Sequence, residues 1–233
     1  MECTRTGNTS MDIATDKLLL LQAFDSLFPI GAFALSSGLE TYVYKRLISD
    51  KAGLQAYLAA YLHVLPYGDL GVAALAAGGA DIKTLDELCH AMKAPREIRE
   101  GSVRLCSRFI KAQMALGVCA PFTQYRRLIE EKQCAGHYPV AVGLFIRETG
   151  ADLHFALSAY CYSLLSAAAN HVVKLVPLRQ FDGQAALREA MNLIGRAADA
   201  AQNVAIGDLG VSGCGFELRS MQHETLETRL YLS

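Results

Sequence analysis

Apolar side chains recur at intervals of three and four residues along most of the chain. Such spacing places side chains on one face of an α-helix, whereas a half-buried strand would show strict alternation, which is hard to find here. One such apolar stripe comprises Leu187, Ala190, Met191, Ile194, Ala198, Ala201 and Ala205. The pattern therefore predicts an all-α fold.

Proline residues indicate where several of these helices begin. Pro95, Pro121 and Pro139 each open a periodic segment, and proline suits the first helical turn because its missing N–H would have no partner there. We predict a single-domain bundle, residues 1–233, in which helices adjacent in sequence pack as antiparallel neighbours. The predicted helices, about ten in number, lie near 12–24, 36–48, 50–65, 69–79, 84–92, 95–117, 121–134, 139–148, 151–176 and 182–206.

Both ends of the chain fall outside this predicted bundle. Residues 1–11 are predicted to be disordered. Residues 207–215 contain four glycines and are predicted to act as a hinge. Residues 216–233 mix charged with bulky apolar side chains, and we predict a flexible C-terminal tail that docks onto a partner. An ordinary frayed end is the alternative.

One uncharged stretch, residues 153–173, is long enough to cross a bilayer. It also carries serine, asparagine, histidine and tyrosine side chains, which are costly in hydrocarbon. We therefore predict a central core helix and no membrane partner. One face of this helix forms either a solvated edge or a polar seam that meets a partner. The polar residues on that face are Ser163, Ser166, Asn170 and Lys174.

Composition narrows the classes of function. The 233 residues are 52% hydrophobic, which excludes a disordered chain. A formal net charge of −1 provides no general cationic field, so nucleic acid is not expected as a partner. The seven cysteines lie at least 13 positions apart and fit neither a disulfide framework nor a CxxC zinc site. Such cysteines are typical of the reducing cytoplasm.

Motifs of self-contained catalytic and metal sites are missing from the sequence. It has no glycine-rich phosphate loop, no HExxH and no GxSxG, and its six histidines lie far apart. We expect a non-catalytic protein that acts through contacts, with no catalytic residues and no metal ligands of its own. The alternative is a helical enzyme or small-ligand-binding protein with a buried core pocket.

Four segments together resemble the UreF family of urease accessory proteins. They occur in the family's order and cover nearly the whole chain after about residue 17. The segments are FPIGAFALSSGLE at 28–40, RLCSRFIKA at 104–112, KLVPLRQFDGQ at 174–184 and SMQHETLETRLYLS at 220–233. This resemblance implies an all-α protein that forms a homodimer in the cytoplasm.

The resemblance also implies a role in urease maturation. A protein of this family binds the accessory protein UreD, also called UreH, and with it recruits and gates the GTPase UreG. The assembly then inserts nickel into the active site of the urease apoprotein. Nickel and GTP would act in the assembled complex, and this chain alone would bind no cofactor.

Residues for two partner surfaces follow from the same resemblance. Those expected on the GTPase side are Phe33, Ser36, Glu40, Asp69 and Lys174. Those expected on the UreD side, in the tail, are His223, Glu224, Arg229, Leu230 and Tyr231. The positions that depart from the family pattern are Phe33, where tyrosine is common, Leu35 and Arg179.

Overall fold

The computed structural model describes residues 13–211, 213–227 and 229–231. No strand occurs within these ranges, and the predicted all-α fold is confirmed. The predicted disorder of residues 1–11 lies outside them. Short 3-10 turns lie at Ala32–Ala34, Leu65–Tyr67 and Ile206–Asp208. The α-helices are α1 (Ile13–Ala23), α2 (Leu39–Tyr44), α3 (Lys51–Val64), α4 (Asp69–Ala77), α5 (Ile82–Met92), α6 (Arg96–Ala115), α7 (Ala120–Glu130), α8 (Tyr138–Thr149), α9 (Leu153–Leu175), α10 (Gln180–Gln202) and α11 (Cys214–His223).

All ten predicted helices are present, and most of their boundaries agree within about one turn. The helix predicted at 36–48 is shorter, because the chain enters α2 through Gly38 and leaves it near Arg46, both with positive φ. The sequence pattern predicts no helix at α11, which begins inside the predicted hinge. Gly215 therefore lies in a helix and not in a flexible connection.

The core is built around α9, which packs against α10, α4, α2 and α3. The predicted core helix at 153–173 is thus confirmed, with Leu157, Tyr160 and Leu165 fully buried. A second close contact joins α4 to α8. A Cβ atom at Gly143 would lie 2.4 Å from the carbonyl oxygen of Ala73, so glycine is what allows these two helices to approach each other.

Another apolar stretch, Lys51–Ala77, has the length and composition of a membrane-crossing helix, the one such stretch in the described parts of the chain. It is divided into α3 and α4 by a 3-10 turn that contains Pro66. Half of its most apolar 18-residue segment is buried inside the bundle. The core helices of soluble proteins have the same properties, and we interpret the stretch in that way.

A buried carboxylate ties α5 to the loop between α7 and α8. Asp86 is 1% exposed, and four donors satisfy its oxygens, which is the condition under which a buried charge is tolerated. The donors are the backbone N–H groups of Ala135, Gly136 and His137 and the hydroxyl of Tyr125.

The side chain of His137 continues this buried polar network. Its Nδ1 lies 3.1 Å from Ser102 Oγ, and its Nε2 lies 3.1 Å from Nδ1 of His90. Burial lowers the pKa of His137 to about 4, against the opposing effect of Asp86. The imidazole is therefore neutral in the folded protein at neutral pH.

We expect the folded chain to lose stability as the pH falls from about 6.5 to about 4. Over this window the unfolded chain takes up a proton at His137 that the folded chain excludes. The free energy of unfolding should therefore fall by up to about 1.4 kcal/mol per pH unit. Urea titrations at several pH values measure this slope.

His137→Gln should flatten the slope, because glutamine cannot take up the proton. His63→Gln is the matched control, since His63 is exposed, and it should leave the slope unchanged. Some slope should remain in His137→Gln, because burial also lowers the pKa of His171, and hydrogen bonds lower the pKa values of Asp81 and Asp182; these groups contribute equally in the native chain and the variant. Equal slopes in the native chain and His137→Gln would contradict the assignment.

Candidate functional site

A cleft of about 920 Å³ lies between residues 21–39 and α9. Four of the five residues predicted on the GTPase side line it: Phe33, Ser36, Asp69 and Lys174. The polar face of α9 forms part of its wall, with Ser163, Ser166 and Asn170 beside Lys174. This position favours the polar seam over a merely solvated helix edge.

Two left-handed glycines shape the segment that closes the cleft. Gly31 has φ +75° and Gly38 has φ +80°, and between them the chain makes the 3-10 turn Ala32–Ala34. This turn leaves the Phe33 side chain 67% exposed. The Phe33 carbonyl oxygen points inward and accepts a hydrogen bond of 3.1 Å from Nε2 of His171. The Phe33 ring therefore points outward, while His171 holds the Phe33 backbone from inside the bundle.

The other predicted residues differ in accessibility. Ser36 is 1% exposed, so its side chain is not presented on the surface of the lone chain. Lys174 is exposed and forms no ion pair or hydrogen bond with another described residue. Phe33 and Lys174 are therefore the two predicted residues whose side chains stand open to a partner at this cleft.

Asp69, at the start of α4, is already paired. Its carboxylate accepts a hydrogen bond of 2.5 Å from the buried ammonium of Lys93. Burial alone would lower the pKa of Lys93, but the neighbouring charges, Asp69 first, outweigh it and raise the pKa. Burial and the same aspartate raise the pKa of Tyr61. Asp69 thus acts as an internal counter-charge at the cleft.

Glu40 contacts the tail directly, although the family resemblance implies that the two belong to different partner surfaces. The Glu40 side chain is 6% exposed. Its carboxylate accepts hydrogen bonds from the backbone N–H groups of Leu230 and Tyr231, at 2.7 and 3.0 Å. It also lies 2.9 Å from Nε2 of His223. The last described residues therefore rest on the chain's own body.

A second carboxylate completes this contact. Glu97, on α6, lies 2.6 Å from Nδ1 of His223 and accepts a 2.7 Å hydrogen bond from Arg229. The two carboxyl groups thus flank one imidazole, each within hydrogen-bond distance of a different ring nitrogen. The Arg229 guanidinium adds a positive charge beside Glu97. We call Glu40, Glu97, His223 and Arg229 the tail clasp.

Further contacts fix the tail against the turn and α9. Ser220 Oγ donates to the Ser37 carbonyl at 3.2 Å, and a Cβ atom at Gly38 would lie 2.8 Å from the Ser220 backbone. The Tyr231 ring packs edge-on against His171, with ring centroids 4.4 Å apart. At the surface, Glu224 lies 3.4 Å from Arg96.

Sequence reasoning missed three participants in this site. Glu97 and Lys93 lie in an ordinary amphipathic region, and no local motif marks them. His171 could have been suspected because it interrupts an apolar helix, but its partners are distant in sequence. Among the described residues, no three His, Cys, Asp or Glu side chains are grouped as metal ligands would be. The site therefore offers a partner the exposed side chains of Phe33 and Lys174, while Asp69 and Lys93 pair with each other inside the cleft.

We expect Glu97→Gln to open the tail clasp. Glutamine keeps the shape but removes the carboxylate that both His223 and Arg229 contact, and the loss of a hydrogen bond to a charged group should cost about 2 kcal/mol. Hydrogen exchange of the Leu230 and Tyr231 amides measures this, and both should exchange faster. Glu100→Gln is the matched control, because Glu100 is an exposed carboxylate on the same helix. Unchanged exchange in Glu97→Gln would show that the clasp does not hold the tail.

Comparison with known proteins identifies the family. The UreF family model matches residues 48–191. The urease accessory protein UreF of Paenarthrobacter aurescens is 32% identical over 221 residues, which cover 94% of this chain and 99% of the relative. That of Haemophilus influenzae strain PittEE is 33% identical over 226 residues, 94% of this chain and 96% of the relative. The chain belongs to the UreF family of urease accessory proteins.

Proposed function

We propose that this chain is a non-catalytic adaptor in urease maturation. Together with UreD (UreH) it recruits and gates the GTPase UreG, so that nickel enters the active site of the urease apoprotein. The protein acts in the cytoplasm as a homodimer, with neither membrane nor nucleic acid as a partner. It binds no cofactor alone, and nickel and GTP act in the assembled complex. Family membership supports the general role, and the surface supports the division of partners.

The observation that carries the proposal is the open edge of the cleft. Phe33 is exposed, and Lys174, on α9, is an exposed cation with no ion pair among the described residues. A few side chains that become buried in an interface typically carry most of its binding energy, and aromatic side chains are common among them. Of the other charged groups that line the cleft, Asp69 and Lys93 pair with each other, and Asp25 accepts a hydrogen bond from the N–H of Leu27. Phe33 and Lys174 therefore offer a partner an aromatic ring and a positive charge.

The outer face of the tail supports UreD as its partner. Leu218 and Met221 lie one turn apart on α11 and are 55% and 41% exposed, and Leu230 is 66% exposed. The tail clasp holds the backbone beneath these side chains. A segment that is ordered before binding loses less conformational entropy when a partner docks.

Exposed apolar side chains beside the cleft support the homodimer. Leu21, Leu27 and Tyr162 line the cleft and are 54%, 89% and 40% exposed. A second copy of the chain would cover apolar surface that a monomer leaves in water.

One observation favours the second candidate function, a small-ligand-binding protein or helical enzyme. The cleft volume falls within the usual range for ligand pockets. Mass spectrometry of the purified native chain distinguishes the two, since an adaptor should carry no stoichiometric small molecule.

Lys174→Glu should impair UreG recruitment by the UreD complex without unfolding the chain. The reversed charge meets whichever acidic group Lys174 contacts, which costs about 1 to 3 kcal/mol if the contact is partly desolvated. Pull-down with UreD and UreG measures the loss, and Tm checks the fold. Lys83→Glu is the control, because Lys83 is an exposed lysine that does not line the cleft. Normal recruitment at physiological salt by Lys174→Glu would refute this interface.

Leu230→Ser should weaken UreD binding by about tenfold, the effect of losing one well-packed apolar anchor. Its backbone N–H still reaches Glu40, so the tail clasp and Tm should not change. Leu116→Ser is the control, since Leu116 is 57% exposed at the end of α6. Equal UreD affinity for the native chain and Leu230→Ser would mean that this face of the tail is not the docking surface.

A further inference from the structure

The turn that carries Phe33 lies along one face of α6. Residues 28–35 run along this helix from its middle toward its first residues. They make an aromatic contact with α6 at one end and an aliphatic contact at the other. Between these two contacts lies a single polar one. In order along the turn, Phe28 meets Phe109, Ile30 meets Arg108 and Leu35 lies against Gly101.

Arg108 holds the turn at its least ordinary backbone position. Its Nη1 donates a 3.2 Å hydrogen bond to the Ile30 carbonyl oxygen. Gly31 follows with φ +75°, and a Cβ atom there would lie 2.4 Å from the same Nη1. The guanidinium thus covers the glycine Cα atom. Arg108 is exposed and has no ion pair among the described residues. Its guanidinium instead supports the backbone of the turn.

Phe33 is fixed from the other side as well. His171, on α9, donates to its carbonyl oxygen at 3.1 Å. The turn is therefore suspended between two helices, α6 and α9, while the Phe33 ring is left 67% exposed. A ring held in this way loses little further freedom when a partner covers it, and such preorganisation raises affinity without adding a contact.

We propose that Arg108 is a positioning residue for partner binding, which fixes the turn Ala32–Ala34 so that Phe33 is presented to the partner GTPase. This inference rests on the proposed function, in which Phe33 belongs to the GTPase surface. Arg108 acts through the turn and not through its own contact with the GTPase. Two measurements separate these roles.

The first measurement uses the lone full-length chain and needs no partner. The amides of Ala34 and Leu35 bond to the carbonyl oxygens of Gly31 and Ala32, each at 3.1 Å. In Arg108→Ala these amides should exchange about five to ten times faster, as expected for the loss of one supporting hydrogen bond. Arg104→Ala, an exposed arginine one turn away, is the control and should not change them. Unchanged exchange in Arg108→Ala would overturn the proposal.

The second measurement is a double-mutant cycle on UreG binding to the complex with UreD. Arg108→Ala should weaken UreG binding by roughly five- to tenfold in the native background. It should have no effect in the Phe33→Ala background, because the ring that it positions is gone. An effect that persists there would show that Arg108 contacts the GTPase itself, and the positioning role would be wrong.

Tm and UreD capture should stay unchanged in both single variants, which excludes general unfolding. If Phe33→Ala weakens UreG binding and Arg108→Ala does not, the positioning role fails and the proposed function stands. If Phe33→Ala leaves UreG binding unchanged, both the positioning role and the placement of Phe33 on the GTPase surface fail. The exchange experiment then shows whether Arg108 still orders the turn.

Discussion

Glu40 is almost fully buried at the start of α2, and a carboxylate in that position must be balanced by hydrogen bonds and positive charge. Two backbone N–H groups and the His223 ring meet it, all from the last part of the chain. The hydrogen bonds that one buried carboxyl group requires thus determine where the C-terminal end must lie. Glu97 and Arg229 extend the same requirement to α6.

The docked tail brings the two proposed partner surfaces close together. Tyr231 packs on His171, and His171 holds the carbonyl oxygen of Phe33. One buried histidine therefore touches both the tail and the turn at the cleft edge. Burial lowers the pKa of His171 while its bond to Phe33 opposes this. A partner that moved the tail would consequently disturb the support of Phe33, because Tyr231, His171 and Phe33 form a continuous chain of contacts.

Helical periodicity was sufficient to predict the body of the fold, because most helices here bury one continuous apolar stripe. It was insufficient at α11. That helix depends on Phe216, whose ring lies 5.3 Å from Tyr57 and 5.6 Å from Tyr61, and tertiary packing of this kind leaves no local periodic signal. Residue type also could not separate buried Ser36 from exposed Phe33. That difference arises from two left-handed glycines and from contacts with distant helices.

The different surroundings of two lysines show how this surface can select a partner. Lys93 and Lys174 both line the cleft, but Lys93 is buried and has its counter-charge in Asp69. Lys174 is exposed and has none among the described residues, so its charge is accessible to a partner. A partner with an acidic group at that position gains an ion pair, and one with a basic group meets repulsion, which gives specificity more than affinity. Beside it, the Phe33 ring supplies apolar area that is insensitive to charge. Recognition at this edge therefore divides into a charged contact that selects the partner and an aromatic contact that holds it.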